Sequence, residues 1–173
     1  MNRRKFLLAT WATATVALVG GGAVVALRPV RDEQGRFTPD IAQMWDRVGQ
    51  VMLDGMWPPT PDAALAARRA WLLRLEETVA QLAPASREEL ERLLSLLRWS
   101  LPRRWLLELR EDWATASDDA IRAAFERTSR AEQPLRQQAV AALRDLSLAA
   151  FYADPSSWIA IGYPGPNAVG AAS

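Results

Sequence analysis

The sequence contains no cysteine and no histidine. Without cysteine the chain forms no disulfide and lacks the usual ligand of iron–sulfur clusters. A c-type haem cannot be attached without Cys-x-x-Cys-His, structural zinc loses both of its usual ligands, and Ser-His-Asp and Cys-His catalysis are excluded. What remains for chemistry is carboxylates, hydroxyls, arginine and Lys5, which is the single lysine. These absences argue against an enzyme.

Charge is distributed unevenly along the chain. The 173 residues carry 21 basic and 20 acidic side chains, a formal net charge of +1. Five of the basic residues and none of the acidic ones precede residue 32, which leaves 16 basic against 20 acidic side chains and a net charge of −4 for the rest. This mildly acidic body has no basic patch of the kind that duplex nucleic acid requires, so we expect no nucleic-acid partner.

The amino terminus has the pattern of an export signal. A basic stretch precedes an apolar run that ends at Leu27 and contains no charged side chain. An arginine pair in this position favours the twin-arginine route, which transports folded proteins, and makes the translocase an expected partner. An ordinary signal or anchor is the alternative, because adjacent arginines also occur in the interior of the chain. The predicted signal residues are Arg3, Arg4, Phe6 and Leu7.

Residues 1–31 therefore form a twin-arginine signal or an N-terminal membrane anchor. The 22 residues from Phe6 to Leu27 would extend about 33 Å as a helix, enough to cross the hydrocarbon layer. Val24-Val25-Ala26 is only a partial cleavage site, whereas Gly20-Gly21-Gly22 weakens a permanent membrane helix. Both a cleaved signal and a retained anchor remain open. Either places the body outside the cytoplasm, so we expect a periplasmic protein, anchored in the inner membrane if the segment is retained.

The body, residues 32–166, reads as a single helical domain. Apolar residues follow the helical period, for example from Ile41 to Val51 and from Leu90 to Leu97, and no segment favours a strand. We predict an all-α, irregular bundle of about six helices, preceded by the N-terminal signal or anchor helix and followed by a disordered tail at 167–173. We also predict a polar linker from Val30 to Phe37, an inward-facing Leu65 in the second helix, and a turn at 99–102 before a short helix over about 103–113. The helix-start signals are Thr38-Pro39-Asp40, Thr60-Pro61-Asp62, a capping box from Ser86 to Glu89, Ser117-Asp118-Asp119 and Pro134.

Two other classes of side chain are candidates for function. Four pairs of adjacent carboxylates favour solvated faces and helix caps over a general acid or a metal site. Eight tryptophans are present, and those within or beside helices, such as Trp99 and Trp105, are expected to pack in the core. Trp57 and Trp158 lie at breaks between helices, where an aromatic side chain can anchor a partner. The carboxylate pairs are Glu76-Glu77, Glu88-Glu89, Glu111-Asp112 and Asp118-Asp119.

The carboxyl-terminal region is unusual. Phe151-Tyr152-Ala153-Asp154-Pro155 is followed by Trp158 and by Gly162-Tyr163-Pro164-Gly165-Pro166. The prolines and glycines exclude a helix or a central strand there, so we predict a stiff apolar arm that covers its own core or lies on another subunit. Together with the twin-arginine leader, this arrangement resembles the gluconate 2-dehydrogenase subunit 3 family. Those proteins are the small subunits of membrane-associated, FAD-dependent sugar and polyol dehydrogenases.

The resemblance implies an accessory role. In that family the large subunit carries the FAD and has no export signal, while the small subunit binds it, supports its folding and carries it through the translocase. A cytochrome c subunit is often a further partner. We therefore expect no catalytic residue and no cofactor in this chain, and a large FAD-dependent subunit as its partner. The alternatives are a stand-alone membrane-anchored helical binding or scaffold protein and, less favoured, an enzyme that uses carboxylates. The predicted partner-binding residues are Tyr152, Trp158, Tyr163, Pro164, Gly165 and Pro166.

Overall fold

Residues 28–160 are described by the computed structural model, without the side chains of residues 159 and 160. Within this range the chain forms seven helices and, apart from one isolated bridge, no β-structure, which confirms the all-α prediction. Six of the helices make up the predicted bundle, and the seventh is a short turn after them. The N-terminal helix and the 167–173 tail lie outside the described residues. The helices are α1 (Pro39–Met52), α2 (Pro61–Ala80), α3 (Pro84–Leu97), α4 (Ser100–Leu107), α5 (Asp118–Ser129), α6 (Pro134–Tyr152) and α7 (Ser156–Ala160).

Prolines mark most of the helix starts. A proline is the first residue of α1, α2, α3 and α6, where its missing N–H leaves no hydrogen bond unmade. Ser117 caps α5 as predicted, its Oγ accepting from the Ala120 N–H at 3.1 Å. The predicted capping box at Ser86 is wrong, because α3 begins earlier, at Pro84. At α1, Thr38 occupies the cap position, but its hydroxyl bonds to a side chain instead of to the helix backbone.

The fourth helix is displaced from its predicted position. We predicted a turn around Pro102 and a helix from 103 to 113, whereas α4 begins at Ser100 and ends at Leu107. Pro102 is compatible with this helix because it lies in the first turn, where a backbone N–H has no acceptor within the helix. The helix stops because Glu108 takes a left-handed conformation with φ 55°, which is uncommon for a residue other than glycine. Trp113 then lies in a loop, buried, with its Nε1 donating to the Leu97 carbonyl at 2.9 Å.

The core is organised around α6, which packs against α1, α2, α4, α5 and α7. The predicted stripe of α1 is confirmed from Ile41 to Val51, while Met56 beyond the helix is exposed. Leu65 of α2, predicted to face inward, is also exposed, and Trp71 is one of three fully buried residues of that helix. None of the helices in residues 28–160 is both long enough and apolar enough to cross a membrane.

The segment before α1, which we predicted to be a polar linker, is folded against the core. Val30 and Phe37 are buried, and Arg31 and Phe37 form an antiparallel bridge. Glu76 of α2 was predicted to face outward but is only 5% exposed. Its carboxylate accepts from the Phe37 N–H at 2.9 Å and from Arg36. These charge-assisted hydrogen bonds are the reason that a carboxylate is tolerated inside.

Candidate functional site

The predicted site residues divide into two groups in the structure. Tyr152 and Trp158 are described, and the chain brings them together at the end of α6. The others lie outside the described residues, and their predicted roles stay predictions. They are Arg3, Arg4, Phe6 and Leu7 of the export signal and Tyr163, Pro164, Gly165 and Pro166 of the arm.

A tight turn joins α6 to α7 and brings Trp158 back onto Tyr152. The Trp158 Nε1 donates to the Tyr152 carbonyl oxygen at 2.9 Å, and both side chains are half-buried. Asp154 organises this turn, since its carboxylate accepts from the Ser156 N–H at 2.9 Å. Hydrogen bonding from Ser156 lowers the pKa of Asp154, and the nearby Arg74 lowers it further. The carboxylate is therefore ionised and acts as a structural anchor.

A row of aromatic rings lies beneath this turn. Edge-to-face contacts join Trp71 to Trp57 at 5.9 Å, Trp57 to Phe151 at 6.0 Å and Phe151 to Tyr152 at 5.4 Å between ring centroids. Such pairs contribute about 0.5–1.5 kcal/mol each beyond the area that they bury. Arg74 of α2 completes the connection through an ion pair with Asp154 at 3.1 Å and a hydrogen bond to α6. The turn is thus part of this protein's own fold, and the half-buried Trp57 packs against the core.

A second surface, which we did not predict from the sequence, lies on α4. Trp105 is 52% exposed and Leu101 is 74% exposed, and both share the outer face of the helix because they are four residues apart. Trp99, at the N-cap, is 38% exposed. The prediction that Trp99 and Trp105 pack in the core is wrong, because Leu106 and Leu107 occupy the inner face of this short helix. We define the α4 surface as Trp99, Leu101, Arg104, Trp105 and Arg110.

Positive charge predominates at this surface. A shallow depression of about 510 Å³ beside α4 is lined by three arginines and one carboxylate, that of Glu108. Hydrogen bonds from Arg136 and Arg127 lower the pKa of Glu108 and engage its charge. Arg104 and Arg110 form no ion pair within residues 28–160. The arrangement therefore suits an anionic group beside apolar material.

A buried arginine lies on the inner side of α4. Arg103 is 2% exposed, and its guanidinium donates to the Arg98 carbonyl at 3.3 Å and lies 3.5 Å from the Asp112 carboxylate. Its Nε has no hydrogen-bond partner in the described part of the chain. Burial lowers the pKa of Arg103, while Asp112 and then Glu111 act in the opposite direction. An arginine stays charged in such a place, so it ties α4 to the following loop as a cation.

The carboxylates are arranged for ion pairing. Glu88 pairs with Arg92 at 3.3 Å, and Asp118 pairs with Arg47 at 2.8 Å. Within residues 28–160 no three acidic side chains come together in a group that could hold a metal ion. The displaced carboxyl pKa values of Glu108 and Asp154 are both lowered, whereas a general acid near neutral pH needs a raised one. These contacts stabilise the fold.

Comparisons of the chain with models of protein families, with curated proteins and with solved structures found no match. No relative therefore supplies a function or a set of site residues for this chain.

Proposed function

We propose that this chain is the non-catalytic small subunit of a periplasmic, membrane-associated, FAD-dependent sugar or polyol dehydrogenase. It assists folding of the large flavoprotein subunit and carries that subunit through the twin-arginine translocase. The observation that carries the proposal is the combination of Arg3-Arg4, ahead of an uncharged apolar run, with the arm Gly162-Tyr163-Pro164-Gly165-Pro166. The FAD belongs to the partner, and a cytochrome c subunit is a candidate acceptor of its electrons.

The contacts at the end of α6 support a docking role for the arm. Trp158 is hydrogen-bonded to the Tyr152 carbonyl, and Asp154 is paired with Arg74 of α2. The described chain is therefore held against the body up to α7. A binding segment whose base is already ordered loses less conformational entropy on association. In this proposal the exposed edges of Tyr152 and Trp158 contact the partner together with the arm.

The export half of the proposal is tested by co-expression with the proposed large flavoprotein subunit, followed by pull-down from the periplasm. Arg3→Lys/Arg4→Lys should leave both proteins in the cytoplasm, because the translocase reads the arginine pair. Arg68→Lys/Arg69→Lys is the matched control, since it changes an adjacent pair in α2 and leaves the signal intact. Arrival of the large subunit in the periplasm with the signal variant would show that it needs no escort.

The docking half is tested by truncation after Ala160. This variant removes residues 161–173 and keeps the ion pair of Asp154 with Arg74 and the hydrogen bond from Trp158 to the Tyr152 carbonyl. We expect unchanged helical content by circular dichroism together with loss of the large subunit from the pull-down. If helical content falls instead, the removed residues cover this protein's own core and the docking role of the arm is wrong.

A stand-alone, membrane-anchored helical binding or scaffold protein of the cell envelope is the second candidate. The exposed apolar residues of the α4 surface favour it, because such patches mark interaction sites whether or not a flavoprotein is present. It predicts that the purified chain is a colourless monomer. Co-purification of a yellow partner with the absorbance of FAD excludes it.

A further inference from the structure

The α4 surface exposes apolar side chains that take no part in the docking proposed for Tyr152, Trp158 and the arm. Leu101 and Trp105 lie on the outer face of the helix, and Trp99 lies at its start. A contiguous exposed apolar patch marks a site of interaction with a protein or a membrane. Tryptophan, which has an apolar body and a polar N–H, is enriched where a protein meets the lipid headgroups.

The amino-terminal segment enters the body at the same place. Arg28, which directly follows the apolar run in the sequence, has its guanidinium carbon 5.8 Å from the centroid of the Trp99 ring. The backbone there is held by Arg98, which donates to the carbonyl of Arg28 at 3.3 Å and to that of Pro29 at 3.4 Å. The side chain of Arg98 is only 10% exposed. The entry point of the chain is therefore attached beside the start of α4.

This attachment relates the α4 surface to the membrane. Helical residues rise about 1.5 Å each, so Trp105 lies about 9 Å along the axis from Trp99. If the run that ends at Leu27 leaves the hydrocarbon layer at Arg28, α4 lies at the depth of the headgroups. A short helix with indoles and a leucine on its outer face lies along such an interface instead of crossing it.

The charges beside α4 indicate which kind of lipid headgroup would bind this surface. The depression beside α4 contributes Arg104, Arg110 and Arg127 against the single carboxylate of Glu108. Glu108 is already engaged by Arg127, while Arg104 and Arg110 form no ion pair within the described residues. Arginine forms paired hydrogen bonds with phosphate oxygens, and clustered basic residues beside a membrane segment bind anionic headgroups.

We infer that the α4 surface rests on an anionic phospholipid bilayer. Trp99, Leu101 and Trp105 lie among the headgroups, and Arg104 and Arg110 contact lipid phosphates. The inference uses the amino-terminal segment of the proposed function as its tether, but it requires neither a flavoprotein nor a translocase. A negative result in the pull-down would therefore contradict the escort role and not the lipid contact. A negative result in the vesicle experiment would contradict the lipid contact and not the escort role.

The absence of cysteine allows a single spin label to report the environment of one position. The full chain carrying Leu101→Cys is labelled with a nitroxide and reconstituted into vesicles of phosphatidylcholine and phosphatidylglycerol. Leu73→Cys is the matched control, an exposed leucine on α2, which packs against α1 and α6. Electron paramagnetic resonance power saturation measures how often the nitroxide collides with oxygen, which concentrates in lipid, and with a nickel complex, which stays in water. We expect the label at 101 to undergo more oxygen collisions and fewer nickel collisions in these vesicles than the label at 73.

Two further measurements test the charge requirement. Vesicles of phosphatidylcholine alone, and Arg104→Glu/Arg110→Glu in the Leu101→Cys chain, should each restore nickel collisions at position 101. Circular dichroism confirms that these surface variants retain their helices. Equal nickel access at 101 and 73 in anionic vesicles overturns the inference. Protection that increases with the protein-to-lipid ratio indicates that a second copy covers the surface, and this result overturns the inference. Protection that is unaffected by lipid charge or by charge reversal rules out anionic lipid and overturns it as well.

Discussion

Replacing Gly49 with alanine would force the first two helices apart. Gly49 lies inside α1, where helix propensity alone favours alanine by about 0.5–1 kcal/mol. A Cβ at this position would lie 2.6 Å from both Cη2 and Cζ3 of the Trp71 indole and 3.2 Å from its Cζ2. Carbon atoms in good contact are about 3.5–4.0 Å apart, so the ring or the helix has to move by roughly 1 Å.

The indole has little freedom to make that movement. Trp71 is fully buried, its Nε1 donates to the Ser147 carbonyl at 3.1 Å, and its ring meets the edge of Trp57. Overpacking in such a core costs about 1–3 kcal/mol, which exceeds the gain in helix propensity. We therefore expect Gly49→Ala to lower the free energy of unfolding by about 1–2 kcal/mol.

Thermal unfolding of the full chain in mild detergent, followed by circular dichroism, measures this change. A decrease of that size lowers the Tm by roughly 3–8 °C for a domain of this length. In a Trp71→Phe background Gly49→Ala should cost less, because the six-membered ring of the indole has gone. Gly55→Ala is the control for backbone strain alone, since φ there is +78° and no atom lies within 4 Å of an added Cβ. A higher Tm for Gly49→Ala, or the same cost in the Trp71→Phe background, would refute the packing argument.

Three more predictions concern caps and charges, each measured by thermal unfolding. Arg103→Met should change the free energy of unfolding by less than about 1 kcal/mol, because it removes a buried charge with an unpaired Nε and keeps most of the side-chain volume. Arg103→Ala should cost about 2–4 kcal/mol, because it leaves a cavity. Equal losses for the two variants would contradict this. Folding lowers the pKa of Glu108, so the ionised carboxylate adds to the free energy of unfolding at pH values above the ordinary carboxyl pKa. This contribution is lost as the pH falls through the lowered pKa of the folded state. Glu108→Gln should therefore flatten the decrease of Tm between about pH 5 and pH 3, and parallel profiles would exclude that role. Ser117→Ala should cost about 1 kcal/mol through loss of the α5 cap, while Ser129→Ala, at the other end of that helix, should cost less.

Local signals predicted the helices well where they were strong. The stripe from Ile41 to Val51 and the prolines at helix starts depend on residues within a few positions of one another, so they can be read without the fold. The displaced bounds of α4 have a different cause. Its end depends on the left-handed conformation of Glu108, whose carboxylate is engaged by Arg127 of α5 and Arg136 of α6. No pattern within the segment reveals partners so distant in the chain.

The candidate sites show the same division. The aromatic and proline pattern around Tyr152 and Trp158 identified that region from the sequence, although the hydrogen bond between them and their half-burial appear only in the structure. The α4 surface was missed because tryptophans in helices usually face the core. Had α4 been recognised as an eight-residue helix, the four-residue spacing of Leu101 and Trp105, opposite Leu106 and Leu107, would have indicated an exposed apolar face.

The sequence by itself determined the all-α class and the exclusion of thiol and imidazole chemistry, and it predicts an export signal that begins at Arg3-Arg4, since each depends on composition or short-range order. Only the tertiary structure decided that Glu76 is buried, that Gly49 admits Trp71, and that Arg28 lies on Trp99. Each of these depends on two segments that are far apart in the chain meeting in space. The packing of helices around α6 decides which faces are buried, and helical periodicity alone does not specify that packing.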